Sequence, residues 1–328
     1  MARPAPPAWR IWTALGLVYV LWGSTYLAIR YVVATVPPLA GAAIRFLVAA
    51  ALLAGYLALR RGRRAFAVRR RQLVSAAGVG VLLLLAGNGG VTIAEQHHLP
   101  SGMAALLVAG VPLYVVLLRW SARDRPSRST LIGVAIGFLG LAVLLLPGAR
   151  PSGIPLGPAV LVLCSSSLWA VGSFVATRVD LPADPLWSTS LQMLGGGAAL
   201  AVASAVAGER LHPAAVSRSS LLAVGYLVVF GSIVAFTSYS WLLQVAPVSK
   251  VATYAYVNPV VAVLLGAVVV GEHVTALQLV GGGVTVVAVA VVVSGEGRRQ
   301  VAGPIDAPLA VTGQGPEERQ ARDLSSST

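Results

Sequence analysis

The sequence predicts an all-α integral membrane protein of ten transmembrane helices, arranged as two inverted five-helix repeats. Three observations lead there. Of 328 residues, 57% are hydrophobic and only 11% charged, where a soluble domain carries about a quarter charged. The apolar residues gather into stretches of about 20, the length that crosses a hydrocarbon core of roughly 30 Å. A shift of 147 residues superimposes uncommon positions of the two halves. Runs such as Val81-Leu82-Leu83-Leu84-Leu85 do not alternate as barrel strands do. Helix is then the way left to satisfy the backbone in lipid.

Taken in order, residues 1–10 form a short N-terminus and 11–147 the first repeat, with spans at 11–33, 38–59, 73–95, 100–119 and 129–147. The second repeat, 157–294, holds spans at 157–178, 185–207, 219–245, 248–270 and 275–294. Charges, prolines and glycine clusters set these bounds. Residues 295–328 are polar, end in Ser325-Ser326-Ser327-Thr328 and read as a disordered tail.

Direction follows from the arginines. The link after span two holds Arg60, Arg61, Arg63, Arg64, Arg69, Arg70 and Arg71, and the link after span four holds Arg123, Arg125 and Arg128. Both lie on the side of the N-terminus with its Arg3 and Arg10, while the opposite side has little beyond Arg30 and Arg150. The excess marks the cytoplasmic side, and ten spans return the C-terminus there. The second half shows weak bias, so its direction follows from the count. The net charge of +13 sits beside spans, where orientation signals belong, so no nucleic-acid partner is expected; lipid is. All basic residues but Lys250 are arginine, which with the Ala, Val and Gly richness points to a GC-rich bacterial genome. Cys164 is alone inside an apolar run, so no disulfide framework is expected. No cleavable signal is evident, because the first apolar run is too long for one.

Under the 147-residue shift Trp22 falls on Trp169, Pro100 on Pro247, Pro112 on Pro259, Leu39 on Leu186 and Arg45 on Gln192. Each unit has an odd number of spans, so the second copy enters the membrane the other way up. Inverted repeats are a signature of secondary transporters, whose site lies near the midplane between the halves. A small-molecule substrate is therefore expected.

Several motifs resemble a known family. Trp22-Gly23-Ser24-Thr25-Tyr26-Leu27-Ala28-Ile29-Arg30 is similar to the first-helix motif of the drug/metabolite transporter superfamily, in its ten-helix EamA-domain branch. Pro37-Pro38-Leu39 with Arg45 resembles that branch's second helix, and Ala94-Glu95-Gln96 with Pro100-Ser101-Gly102 and Pro112 its junction of helices three and four. Tyr254-Ala255-Tyr256-Val257-Asn258-Pro259-Val260-Val261-Ala262, then Gly271-Glu272, resembles its ninth helix. The resemblance covers roughly residues 10–294 and implies an inner-membrane exporter of metabolites or drugs, with a cavity alternately open to either side. Trp169-Ala170-Val171-Gly172-Ser173-Phe174 has one residue more between Trp and Gly-Ser, so its equivalence to the first motif is approximate.

Polar groups at membrane depth either bind helices together or serve function. Trp22, Ser24, Thr25 and Tyr26 read as helix packing or as a cavity wall, the second favoured because Trp169 and Ser173 echo them. Arg45, about 10 Å from the outer end at 1.5 Å per residue, either snorkels to the interface or faces the cavity and attracts a carboxylate or phosphate. Asn88 in Gly87-Asn88-Gly89-Gly90 marks a close helix contact or a local break. Tyr239, Tyr254 and Asn258 enrich spans eight and nine; Tyr254 and Asn258, four apart, share a face. Pro112 and Pro259 suggest paired mid-helix kinks that act as hinges. Glu95 and Glu272 are the candidates for proton coupling, both expected near the surface. His97 and His98 diverge by about 100° on a helix and no cluster completes a metal site.

Walker-type loops, zinc motifs and nucleophile elbows are missing from the sequence, so neither a cofactor nor enzyme activity is expected. The expected cavity is lined by helices one, three, four, six, eight and nine. Two rivals stay open: a sugar-phosphate or nucleotide-sugar transporter, which one arginine opposite a glutamine fits poorly, and an intramembrane enzyme using Glu95. Monomer and homodimer are both compatible with the sequence.

Overall fold

The computed structural model describes residues 6–62, 67–123, 128–144, 146, 156–246 and 248–301. Arg3, Arg63, Arg64, Arg125, Arg150, Pro247 and the tail beyond 301 lie outside them. The described residues are helical, without a strand. We number the helices α1 (Ala8–Val33), α2 (Pro38–Arg61), α3 (Arg70–Gln96), α4 (Ser101–Ser121), α5 (Arg128–Leu144), α6 (Leu156–Ala176), α7 (Pro185–Val206), α8 (Arg218–Val245), α9 (Tyr254–Val270) and α10 (Ala276–Val301). Seven of them, α1–α4 and α6–α8, are long and apolar enough to cross a membrane. The expected fifth, ninth and tenth spans have shorter apolar segments, Thr130–Val143, Val257–Val270 and Ala276–Ala288. The tail expected from residue 295 begins as helix, since α10 runs to Val301.

Large apolar side chains stand on the outer faces: Leu59 is 89% exposed, Val206 84% and Val268 82%. In water such a surface would aggregate; in lipid it is the ordinary solvent-facing surface. Between helices the packing relies on small residues, as membrane interfaces do. The most extensive contact is α2 on α7, where the Ser190 hydroxyl donates to the Ala50 carbonyl at 2.9 Å.

Both ends of that pair are fastened by acids at helix N-termini, where the unpaired backbone N–H groups and the helix dipole favour a carboxylate. Glu209, just beyond α7, accepts from Leu39 N (3.2 Å) and Ala40 N (2.8 Å) at the start of α2. Asp184, the N-cap of α7, accepts from Leu186 N (2.9 Å) and Trp187 N (3.3 Å) and pairs with Arg61 at the end of α2. The two helices are therefore antiparallel.

The helices cross over between the halves of the sequence. α1 packs on α8 and α9, and α6 packs on α3 and α4. Two stretches depart from α-helical winding: Val81–Gly89 within α3 and Leu227–Phe236 within α8 are π-helical. They stand at matching places under the 147-residue shift. The Gly87–Gly90 segment is thus neither a break nor a regular helix. Its glycines admit α6 closely: a Cβ on Gly90 would lie 1.8 Å from Ser165 Oγ.

The prolines are less symmetric than their spacing suggests. α4 is interrupted at Ala109-Gly110, and Pro112 sits in the first turn of the segment Val111–Ser121, where its missing N–H costs nothing. Pro259 lies inside α9, and the interruption before it falls at Ala252-Thr253. A turn stands ahead of each proline, at the nearest two residues before Pro112 (Gly110) and six before Pro259 (Thr253).

Candidate functional site

A cavity of about 60 Å³ opens where α1, α2, α3, α4, α6, α8 and α9 meet. Of the residues singled out from sequence, Trp22, Thr25, Tyr26, Arg45, Asn88, Trp169, Tyr254 and Asn258 line it. Helix α2 was not among the expected lining helices; it contributes Arg45 and Phe46.

Aromatic rings form one wall. Trp22 meets Trp169 edge-on with centroids 5.4 Å apart, so the two positions matched by the repeat touch each other. Tyr239 lies 4.7 Å and Tyr254 5.3 Å from Trp22. Offset and edge-on geometry is what ring quadrupoles favour. The polar edges are satisfied: Trp22 Nε1 donates to the Gly231 carbonyl at 3.2 Å, and Trp169 Nε1 to the Tyr239 hydroxyl at 3.1 Å. That hydroxyl also meets Ser173 Oγ at 2.6 Å. Tyr239 and Ser173 therefore stand behind the wall and hold it, and neither lines the cavity. Replacing Tyr239 by Phe removes the hydroxyl that Trp169 Nε1 and Ser173 Oγ share and should cost about 1–3 kcal/mol. A thermal midpoint equal to that of the unaltered protein in detergent would count against this support.

Ser24 points elsewhere. Its hydroxyl meets Tyr226 OH at 2.6 Å, and it lines a separate groove with Tyr31 and Ala223. The Asn258 amide nitrogen, turned to satisfy its neighbours, donates to the carbonyls of Tyr19 (2.9 Å) and Tyr254 (3.2 Å). It thereby ties α9 to α1. A further contact joins the hydroxyls of Tyr19 in α1 and Thr253, just ahead of α9.

Arg45 does not snorkel. It is 4% exposed, donates through Nε to Ser232 Oγ at 2.8 Å and lies with Cζ 4.5 Å from the Phe46 ring centroid. Its repeat counterpart Gln192 is equally buried but donates to Ser188 and Ser240, away from the cavity.

The acids differ from expectation. Glu95 is 4% exposed, although Gln96, His97 and His98, which follow it at the end of α3, are exposed. Neither of its oxygens has a hydrogen-bond partner, and Glu272, Arg30 and Tyr26 are the groups within its electrostatic reach. Glu272 lies outside the cavity as well. It pairs with Arg30 at the end of α1 and accepts from Ser101 N (3.1 Å), Ser101 Oγ (2.9 Å) and Gly102 N (3.2 Å) at the start of α4.

Sequence reading passed over Phe46, Ser165, Ser166, Gly231 and Phe236, which all line the cavity. For two of them a signal existed: Ser165-Ser166-Ser167 is a polar run in an otherwise apolar span.

Comparison with known proteins decides the family. A model of the EamA-like transporter family matches residues 10–146 and again 157–294. The chain belongs to the EamA-like transporter family. It is 42% identical over 283 residues to an uncharacterized inner membrane transporter, YedA, of Escherichia coli K12, covering 86% of this chain and 90% of that one. It is 23% identical over 275 residues to a probable amino-acid metabolite efflux pump of the same organism, covering 81% and 88%. A solved crystal structure with 19% identity superposes with a TM-score of 0.62, over 88% of this chain and 97% of the other, and shares the fold. This EamA-like protein is a multi-pass transporter of the bacterial inner-membrane type.

Proposed function

We propose that this chain is a secondary transporter of ten spans in two inverted five-helix repeats, exporting small amino-acid-like metabolites or amphipathic drug-like compounds by alternating access. The observation that carries the reading is the central cavity, built where the first helix of each half packs on the third and fourth of the other. The matched π-helical stretches and the two family-model matches support the repeat, and the arginine bias supports cytoplasmic termini. Inverted halves of this kind rock about a shared site. The turns before Pro112 and Pro259 are the natural places for α4 and α9 to flex. Export, rather than uptake, is the direction named for the amino-acid metabolite pump that it resembles.

No enzyme activity is part of this reading: transport needs no catalytic group, and Glu95 is offered with Glu272 as a coupling carboxylate. One lining arginine favours amino-acid-like solutes over sugar phosphates. The test is counterflow in liposomes holding the purified protein, with labelled amino acids, a cationic aromatic compound and a sugar phosphate. One member is expected to accumulate, and Tyr254→Ala or Asn258→Ala to abolish it. Absence of counterflow for every member, from protein shown to be folded, would defeat the reading.

A further inference from the structure

Arg45 is a buried cation without a counter-ion. Among the described residues the ion pairs are Arg30 with Glu272 and Arg61 with Asp184, and neither touches it. A guanidinium stays protonated at physiological pH, and withdrawing a charge from water is costly unless another charge or a set of hydrogen bonds answers it. Here Ser232 holds only the Nε side, and the Nη groups make no hydrogen bond to a described residue. The head also has a made place. A Cβ on Gly231 would lie 2.9 Å from Arg45 Nη2, so the glycine leaves room for the guanidinium beside the cavity. With Nε fixed, the edge formed by the two Nη groups is free, and that edge matches the two oxygens of a carboxylate.

A second unanswered group lines the same cavity. The Asn88 Oδ1 is buried and without a hydrogen-bond partner, so it is an acceptor in want of a donor. Among the described residues no acidic side chain and no second cation lines the cavity, and beside the neutral Thr25, Ser165, Ser166 and Asn258 the wall is mostly aromatic and aliphatic. One fixed positive charge suits a single negative charge better than the two of a phosphate ester. Without a lining acid, a free cation would meet only ring faces and neutral oxygens there, and the fixed charge of Arg45 repels it.

We propose that Arg45 is the carboxylate anchor of this cavity. The transporter then selects solutes that carry one carboxylate with a hydrogen-bond donor beside it, as in an α-amino or α-hydroxy acid, and an apolar remainder. This rests on the transport reading above and chooses between its two solute classes: amino-acid-like compounds are carried and cationic drug-like amines are not. Arg45 takes the carboxylate, Asn88 the neighbouring donor, and the Trp22–Trp169–Tyr254 wall the apolar part.

The experiment is counterflow in liposomes with four labelled solutes of one skeleton: leucine, its decarboxylated amine 3-methylbutylamine, its deaminated acid 4-methylpentanoate, and 3-methylbutyl phosphate. The unaltered protein should accumulate leucine at least tenfold faster than the amine, with the acid in between. Arg45→Gln should lower leucine and acid counterflow at least tenfold, and Arg45→Lys should restore part of it. Asn88→Ala should remove the preference for leucine over the acid. Gly231→Ala, which crowds the guanidinium, should raise the leucine KM, and it decides the matter if Arg45→Gln does not fold. Leucine transport untouched by Arg45→Gln, or by Gly231→Ala in its place, would overturn the anchor. Preference for the amine, or for the phosphate, would overturn it while leaving transport standing. Silence of all four solutes in the unaltered protein, with another solute of the wider panel carried, would overturn it likewise; silence toward every solute would defeat the transport reading too.

Discussion

A Gly80→Ala variant is expected to lose more than about 3 kcal/mol, the upper range for overpacking, and to yield little monodisperse protein. On Gly80 a built Cβ would lie 1.9 Å from the Gln192 carbonyl oxygen, 2.7 Å from its carbonyl carbon and 2.9 Å from its Cα. All three are backbone atoms, so no side-chain rotation relieves the clash; α3 and α7 would have to separate. The partner helix is built for the same closeness, since a Cβ on Gly196 would lie 2.5 Å from the Gly80 carbonyl oxygen. Gly78, two residues earlier on α3, is the internal control: its Cβ would meet nothing within 4 Å. Gly78→Ala should therefore be neutral or slightly stabilising, as alanine favours helix over glycine by up to about 1 kcal/mol. Equal yields and equal thermal midpoints for the two variants would show that the α3–α7 approach is looser than described.

That contrast also shows what the sequence could and could not tell. Span positions were legible because lipid imposes one demand on every crossing segment, length with apolarity, and α1 to α4 end within a few residues of their expected bounds. Trp22 and Trp169 were both singled out from the sequence, and the structure brings their rings into contact. Which way a polar residue points was not legible. Ser24 and Thr25 are neighbours on one helix, yet Thr25 lines the cavity and Ser24 meets Tyr226 outside it, because helical neighbours diverge by about 100°. Glu95 was read as superficial because α3 was expected to end in solvent. That end is indeed exposed at Gln96, His97 and His98, and the burial of the Glu95 side chain beside it is a tertiary fact. The π-helical winding of α3 and α8 was likewise unreadable, since the glycines that accommodate it in α3 have no counterpart run in Leu227–Phe236.

Opening of the cavity toward the end of the bundle near Glu272 should follow from Glu272→Ala. That carboxylate joins three elements at once: it ends the turn after α9, pairs with Arg30 of α1 and caps the start of α4. Side-chain exposures of 7% for Glu272 and 43% for Arg30 place the acid inside and the arginine at the rim, so the pair itself contributes modestly. The hydrogen bonds from Ser101 and Gly102 are the larger part, because bonds to a charged acceptor are worth about 1.5–3 kcal/mol each in net terms and the α4 dipole adds to them. Losing two or three of them favours the state in which α1, α4 and α9 part at this end by about tenfold or more. Arginine bias assigns this end to the outside. A Ser166→Cys probe on the cavity wall, in a Cys164→Ser background, reports the opening. A membrane-impermeant maleimide added outside should label it at least tenfold faster after Glu272→Ala, and Glu272→Gln should fall between, keeping an acceptor without the charge. The neighbouring Glu95 has no partner of its own and stands within reach of Arg30, so it is the group that Arg30 can turn to when Glu272 is gone. Adding Glu95→Gln to Glu272→Ala should then raise labelling further. Labelling rates that do not move in any of these variants would mean that the three helices are held at this end by packing alone, and the carboxylate would be a cap rather than a latch.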